Sequence, residues 1–197
     1  DSIRTGNPFF HLCIEKSVWS VFYNAGQDCC ARSRILVHRK IHDKFLELLV
    51  ARTKKFVVGH PEKKGTQIGP VISARQYDKI SGYIASGKAE GAKLLCGGVR
   101  PKGVPPKGHY LLPAIFADAE DNMKIVREEI FGPVACVIPF KDEDEAIRLA
   151  NDSVYGLSAS LWTRDVGRVL RVTRAVQSGV ISVNTSSSVH LEAPFGG

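Results

Sequence analysis

The stretch Phe22-Tyr23-Asn24-Ala25-Gly26-Gln27-Asp28-Cys29-Cys30-Ala31-Arg32-Ser33-Arg34 runs directly into Ile35-Leu36-Val37-His38. The first part reads as a turn built around Gly26, and the second as a short strand, so a thiol stands at the junction of the two. A cysteine held where the backbone turns, beside cationic side chains, can have its thiolate favoured by local charges and peptide dipoles. The thiolate is the nucleophilic form and attacks carbonyl carbon. Spacing alone suits equally well a buried cysteine that packs as a small hydrophobe.

Downstream of this junction the chain alternates helix and strand patterns. Ile41, Phe45, Leu48, Leu49 and Phe56 fall at helical spacings within Ile41–Val57, and His60-Pro61 closes that element. Ala74–Ala89 repeats the pattern through Tyr77, Ile80 and Ile84, and Leu94-Leu95-Cys96 reads as a strand stopped by Gly97-Gly98. Arg100–His109, rich in Pro, Gly and Lys, is an exposed loop. Val134–Phe140 is a continuous apolar run, as in a strand covered on both faces. Asp142 caps a helix that runs through Asn151, with Glu145 as its capping-box partner. Leu157–Thr163, a helix capped by Asp165, and Val180–Asn184 form a strand-helix-strand unit. The pattern predicts an α/β fold with a mostly parallel sheet flanked by helices. In such sheets, sites form at strand ends, and Cys29 and Asn184 lie beside two of them.

Composition narrows the function. The 197 residues are 44% hydrophobic and 24% charged, ordinary values for one folded domain. The net charge of +7 is uneven: residues 1–100 carry 17 Lys/Arg against 8 Asp/Glu, residues 101–197 carry 10 against 12. The basic charges are scattered and no aromatic residues alternate with them, so nucleic acid is not an expected partner. No apolar run approaches the roughly 18 residues of a membrane span, and no secretory leader is visible. The five cysteines and six histidines show no zinc-ligand spacing, so no metal is expected. Unpaired thiols fit a reducing cytoplasm.

The wording of several segments is more specific than their spacing. Asn24-Ala25-Gly26-Gln27-Asp28-Cys29, with Ser33-Arg34 behind it, resembles the active-site cysteine segment of the aldehyde dehydrogenase superfamily. Gln67-Ile68-Gly69-Pro70, Glu128-Glu129-Ile130-Phe131-Gly132-Pro133-Val134, Asn151-Asp152-Ser153-Val154-Tyr155-Gly156-Leu157 and Ala193-Pro194-Phe195-Gly196-Gly197 follow in that family's order. The resemblance covers residues 14–197 and implies a catalytic domain. Residues 1–13 are left as an unassigned N-terminal segment, with Thr5-Gly6-Asn7-Pro8 read as a turn. The nucleotide-binding half, the segment with the general-base glutamate, and the C-terminal oligomerisation strand have no counterpart in the 197 residues.

The resemblance implies chemistry in which a thiolate adds to an aldehyde, donors hold the resulting oxyanion, a nicotinamide takes a hydride, and water opens the thioester with help from a general base. Cys29 matches the nucleophile, two places after the Gln of Gly-Gln, with Cys30 as the runner-up. Glu129 matches the glutamate that accepts from the ribose hydroxyls of NAD or NADP, and Phe131 the aromatic residue near the nicotinamide. Gln76 and Lys79 stand where the other ribose would lie, or are plain helix surface. By position Trp19, Tyr23, Asp28, Cys30, Val189 and Phe195 line the substrate channel, although aromatic and aliphatic residues also serve as core. Asp28 can attract a cationic aminoaldehyde, and it opposes thiolate formation by like charge. The resemblance implies a small aldehyde substrate and a homo-oligomer at full length. The isolated chain is expected not to turn over. A member acylating coenzyme A, and a catalytically silent domain with a structural or partner-binding role, are the alternatives.

Overall fold

The computed structural model describes residues 7–197. Asn7 starts the first helix: its side-chain oxygen accepts the Phe9 N–H at 2.9 Å, and Pro8 fills the first helical position, where no amide hydrogen is needed. Helix α1 (Pro8–Phe22) buries Phe10, Ile14, Val18, Val21 and Phe22 along one face. It packs on α2 (Arg39–Thr53), where Phe10 meets Phe45 edge to face at 6.1 Å. The segment 1–13 is therefore divided. Residues 1–6 lie outside the described residues, Asn7 is a helix cap, and residues 8–13 begin α1, with Phe10 in the core.

Four strands form the main sheet in the order β1-β4-β3-β2. Strand β1 (Arg34–His38) pairs in parallel with β4 (Val134–Phe140), placing Ile35 opposite Val137. The other edge of β4 pairs in parallel with β3 (Ala114–Ala117), and β2 (Lys93–Cys96) closes that side antiparallel. Val134 to Ile138 are all buried, as a central strand covered on both faces requires. Burying each large aliphatic side chain of this core is worth about 1.5–3 kcal/mol. The mostly parallel sheet follows the sequence pattern. Strand β3 does not: Ala-Ile-Phe-Ala is too short to show a period, and it emerges only because β4 offers a second edge.

Helix α2 ends at Thr53, not at Val57. Phe56 falls at helical spacing, yet it sits in the following loop, where its ring lies edge-on to Trp19 at 5.0 Å and Phe22 at 6.0 Å. Helix α3 (Ala74–Ala89) is capped by Ser73 and turns Ile80 and Ile84 inward. The short α4 (Lys124–Arg127) precedes β4. Asp142 caps α5 (Glu143–Asn151) by accepting the Glu145 N–H at 2.9 Å. The reciprocal bond from Glu145 reaches Lys141 N–H, one residue before the cap.

Strands β5 (Ser158–Leu161) and β6 (Val180–Val183) form a separate parallel pair joined by α6 (Val166–Ala175). No residue of α6 is buried, so burial contributes little to holding it. Glu143 on α5 ties it down, accepting from Arg168 Nε at 3.0 Å and from Arg171 Nε and Nη2 at 2.6 and 2.9 Å. Among the described residues no helix is long and apolar enough to cross a membrane.

Arg171, and Arg168 after it, hold the Glu143 carboxyl down at about 2. A carboxyl whose folded pKa is depressed contributes stability above its ordinary pKa, and that contribution is lost as pH falls towards the depressed value. Carboxyl carbon NMR is expected to show Glu143 titrating near 2 and returning towards the ordinary glutamate range in Arg171→Met. A midpoint that does not move would mean that the bonds on α6 are not what holds Glu143 ionised.

Candidate active site

The thiol junction is built by an unusual backbone. After α1, Asn24, Ala25 and Gly26 take φ of 50°, 55° and 69°, three left-handed residues in succession. For L-residues this region costs roughly 1–2 kcal/mol each, least for Asn and Gly, so the turn needs outside support. Asn24 supplies part of it, its Nδ2 donating to Gln27 O at 2.9 Å while Gln27 N–H returns to Asn24 O at 3.1 Å. The Gln27 side-chain oxygen accepts the Ile72 N–H at 3.0 Å. Ala25 is buried.

The decisive support comes from Gly26. A methyl group placed on it would stand 2.2 Å from Gly132 O, closer than any real contact allows. The turn that carries the cysteines is thus pressed onto Gly132, in the segment Glu128–Pro133 between α4 and β4. Gly132 in turn faces Ile80 of α3, 2.4 Å from where its own methyl would be.

Beyond Gly26, Asp28 accepts the Cys30 N–H at 2.7 Å and so shapes the next turn. Cys29 is exposed and Cys30 buried, their Sγ atoms 4.0 Å apart. Burial first, and the neighbouring Cys29 second, push the Cys30 thiol upward. The Asp28 carboxylate and both sulfurs lie within 4.8 Å of one another, a grouping that linear zinc-ligand spacing does not register.

Arg32, which no sequence pattern singles out as a site residue, anchors the far side. Its guanidinium donates to Cys30 O at 2.7 Å, to Ser158 and Ser160 Oγ at 2.9 and 3.1 Å, and to Ser188 Oγ. Its backbone N–H meets Ser20 O, a carbonyl in the last turn of α1. The one available sequence signal was the alternation of Ser158 and Ser160, which puts both hydroxyls on one face of β5. Burial lowers the affinity of Arg32 for its proton, and no carboxylate lies within ion-pair distance among the described residues.

The Glu128–Pro133 segment is clamped through its backbone. Gln76 Nε2 donates to Phe131 O at 2.6 Å and Ile130 O at 3.3 Å, and Lys79 Nζ donates to Glu129 O at 3.2 Å. Gln76 and Lys79 are therefore more than plain helix surface, since each holds this loop. Tyr155 OH accepts the Glu129 N–H at 3.2 Å, and Tyr83 OH donates to Glu128 at 2.8 Å. With its backbone so held, Phe131 adopts a φ of 54°. Phe131 is 37% exposed. The Glu129 carboxylate faces solvent with no hydrogen-bond partner among the described residues.

The other sequence candidates divide. Trp19 packs on Phe56 and Arg52, and its indole N–H goes to Glu15 at 2.9 Å. Tyr23, Val189 and Phe195 are exposed rather than core, and the neighbour of Val189, Ser188, reaches Arg32. A cleft of about 440 Å³ opens beside Tyr155, Gly156, Gln177 and Gly179, and Cys29 does not line it.

The sequence model of the aldehyde dehydrogenase family matches residues 10–197. The chain belongs to the aldehyde dehydrogenase family. It is 46% identical over 184 residues to the chloroplastic betaine aldehyde dehydrogenase of Atriplex hortensis, covering 93% of this chain and 36% of that one. It is 48% identical over 178 residues to the betaine aldehyde dehydrogenase of Brucella melitensis biotype 2, covering 89% and 36%. Among solved structures, the Staphylococcus aureus betaine aldehyde dehydrogenase in complex with NAD+ superposes with a TM-score of 0.91 at 38% identity, covering 95% of this chain and 37% of that one. Thermus thermophilus HpcC gives a TM-score of 0.92 at 42% identity with the same coverage. The chain thus spans little more than a third of the length of these relatives.

Gly26→Ala puts a methyl group where Gly132 O stands. It is expected to destabilise by about 1–2 kcal/mol for the left-handed backbone and by about 1–3 kcal/mol for the forced contact. Urea unfolding of the variant beside Gly65→Ala checks this, since Gly65 is also left-handed but has open space around it. Equal losses in the two variants would leave the contact with no energetic role.

Proposed function

We propose that this chain is the thiol-bearing catalytic portion of an aldehyde dehydrogenase that converts an aldehyde to a carboxylic acid. One observation carries the reading: an exposed thiol on a rigid left-handed turn, locked through Gly26 and Gly132 to a loop that turns Glu129 and Phe131 outward. Cys29 is the nucleophile. Its sulfur adds to the aldehyde carbon, forming a carbon–sulfur bond and an oxyanion, and its own backbone N–H is one donor to that oxygen. Cys30 is the poorer nucleophile because it is buried and its thiol is pushed upward.

The outward loop suits a nicotinamide dinucleotide. The free Glu129 carboxylate can accept from two vicinal ribose hydroxyls, and the exposed Phe131 ring offers a face beside them. When bound, NAD+ or NADP+ accepts the hydride that the aldehyde carbon gives up. The role of Gln76 and Lys79 is to fix the loop so that Glu129 and Phe131 keep their places, which is what orientation requires. Water opens the thioester on Cys29, and its general base belongs to the greater length that the relatives have. For the same reason the 197 residues alone are not expected to turn over. A small aldehyde is the substrate class, and the names of the relatives make a cationic aldehyde the first to try. Homo-oligomer formation at full length and a reducing, cytoplasmic setting complete the proposal, the latter resting on five free thiols.

Brief iodoacetamide treatment followed by peptide mapping tests the assignment of the nucleophile. Cys29 is expected to be labelled well before Cys13, Cys96, Cys136 and Cys30. Burial pushes Cys13 and Cys136 to about 12 and raises Cys96 and Cys30 as well. Within the chain joined to the remaining length of a relative, Cys29→Ser is expected to abolish aldehyde-dependent NADH formation and Cys30→Ser to leave most of it. Activity that survives Cys29→Ser would refute the assignment.

A further inference from the structure

The spacing of the Cys29 and Cys30 sulfurs discriminates between two fates of a thiol pair. A disulfide needs sulfurs about 2.05 Å apart, so the observed 4.0 Å would have to close by half between residues joined by one peptide bond. A tetrahedral divalent cation with metal–sulfur bonds of about 2.3 Å holds two sulfurs about 3.8 Å apart. The pair already stands at the second spacing.

A third donor is set in place independently. One oxygen of Asp28 is fixed by the Cys30 N–H at 2.7 Å, and the other has no hydrogen-bond partner among the described residues. The carboxylate and both sulfurs lie within 4.8 Å of one another. Arg32 holds the Cys30 carbonyl at 2.7 Å, so the end of the turn that carries the donors is anchored. Exposure of Cys29 leaves an open side for entry and for a fourth ligand from solvent. Two thiolates and a carboxylate bring three negative charges against the one positive charge of Arg32, and soft sulfur donors select zinc or cadmium over magnesium or calcium.

We propose that Asp28, Cys29 and Cys30 form a binding site for a thiophilic divalent cation, Zn2+ or Cd2+, whose occupation withdraws Cys29 from nucleophilic chemistry. Each thiol that ligates loses its proton to solvent, so one ion releases two protons, and no electron is transferred. Among the described residues no other two sulfurs are in contact, which makes the site specific to this turn.

The test uses the reduced 197-residue chain and needs neither aldehyde nor nicotinamide, so its failure would leave the dehydrogenase reading standing. Cadmium chloride is titrated while the ultraviolet thiolate-to-cadmium charge-transfer band is followed. The band is expected to saturate at one ion per chain and to vanish on adding a chelator. Asp28→Asn should weaken binding about tenfold, and Cys30→Ser about a hundredfold, as removal of direct ligands should cost at least what outer partners cost. Cys96→Ser should leave it unchanged. Zinc chloride should block iodoacetamide labelling of Cys29 until a chelator is added. No band at millimolar cadmium, or a band that Cys30→Ser leaves unaltered, overturns the proposal. If Cys30→Ser does not fold, the labelling of the unmodified chain decides: alkylation of Cys29 at an undiminished rate under saturating zinc overturns it equally.

Discussion

The backbone of Gly26 and the carbonyl of Gly132 approach so closely that no methyl group fits between them, and the geometry of the site follows from that contact. On one side hang three left-handed residues and the two cysteines; on the other, a loop that no regular element stiffens. Neither would keep its conformation alone. The turn carries backbone strain, and the loop has Phe131 in a left-handed conformation that a bulky side chain rarely adopts. Pressed together, each removes the space into which the other would relax. Gly26 has no room for a side chain against the Gly132 carbonyl, and Gly132 has none against Ile80, which is why both positions are glycine.

The two loops are also held from outside by polar groups aimed at backbone carbonyls. Gln76 and Lys79 reach from α3 to the Glu129–Phe131 carbonyls, and Arg32 reaches from the start of β1 to Cys30 O and to hydroxyls around β5. A guanidinium half-buried without a carboxylate is costly unless its hydrogens are taken up. Three serines and one carbonyl do so here, tying the cysteine turn to the small β5–β6 sheet, while the Arg32 backbone N–H adds the end of α1. The side chains that face substrate or cofactor in this account, Cys29, Glu129 and Phe131, are thereby left free to act. Division of labour between holding and reacting residues is what a preorganised site needs.

Much of the fold was legible in the sequence because its signals were long or local. Val134–Phe140, Ala74–Ala89 and the Asp142 and Asp165 caps lie where periodicity and capping chemistry put them. Strand β3 was not legible, since four apolar residues carry no period and their pairing is decided by the edge of β4. Phe56 misled for a related reason: a loop residue folded under α1 meets the same demand for burial as one more helical turn. In the site, the wording of the cysteine and Glu128–Pro133 segments pointed to Cys29, Glu129 and Phe131, the residues of the proposed chemistry. The clamping roles of Arg32, Gln76 and Lys79 were not legible, because they depend on partners far away in sequence, and nothing local announces a long-range bond of that kind.

The central claim is that the cysteine turn and the Glu128–Pro133 loop behave as one body through Gly26 and Gly132. Gln76→Leu removes two hydrogen bonds from the loop without touching the cysteine turn. The direct measurement is the rate of Cys29 alkylation in this variant, with amide exchange at Phe131 and Gly132 followed in the same samples. The account predicts that loosening the loop changes the Cys29 rate severalfold while Cys96 labelling stays as it was. Faster exchange in the loop with an unchanged Cys29 rate would show that the two segments move independently, and would contradict it.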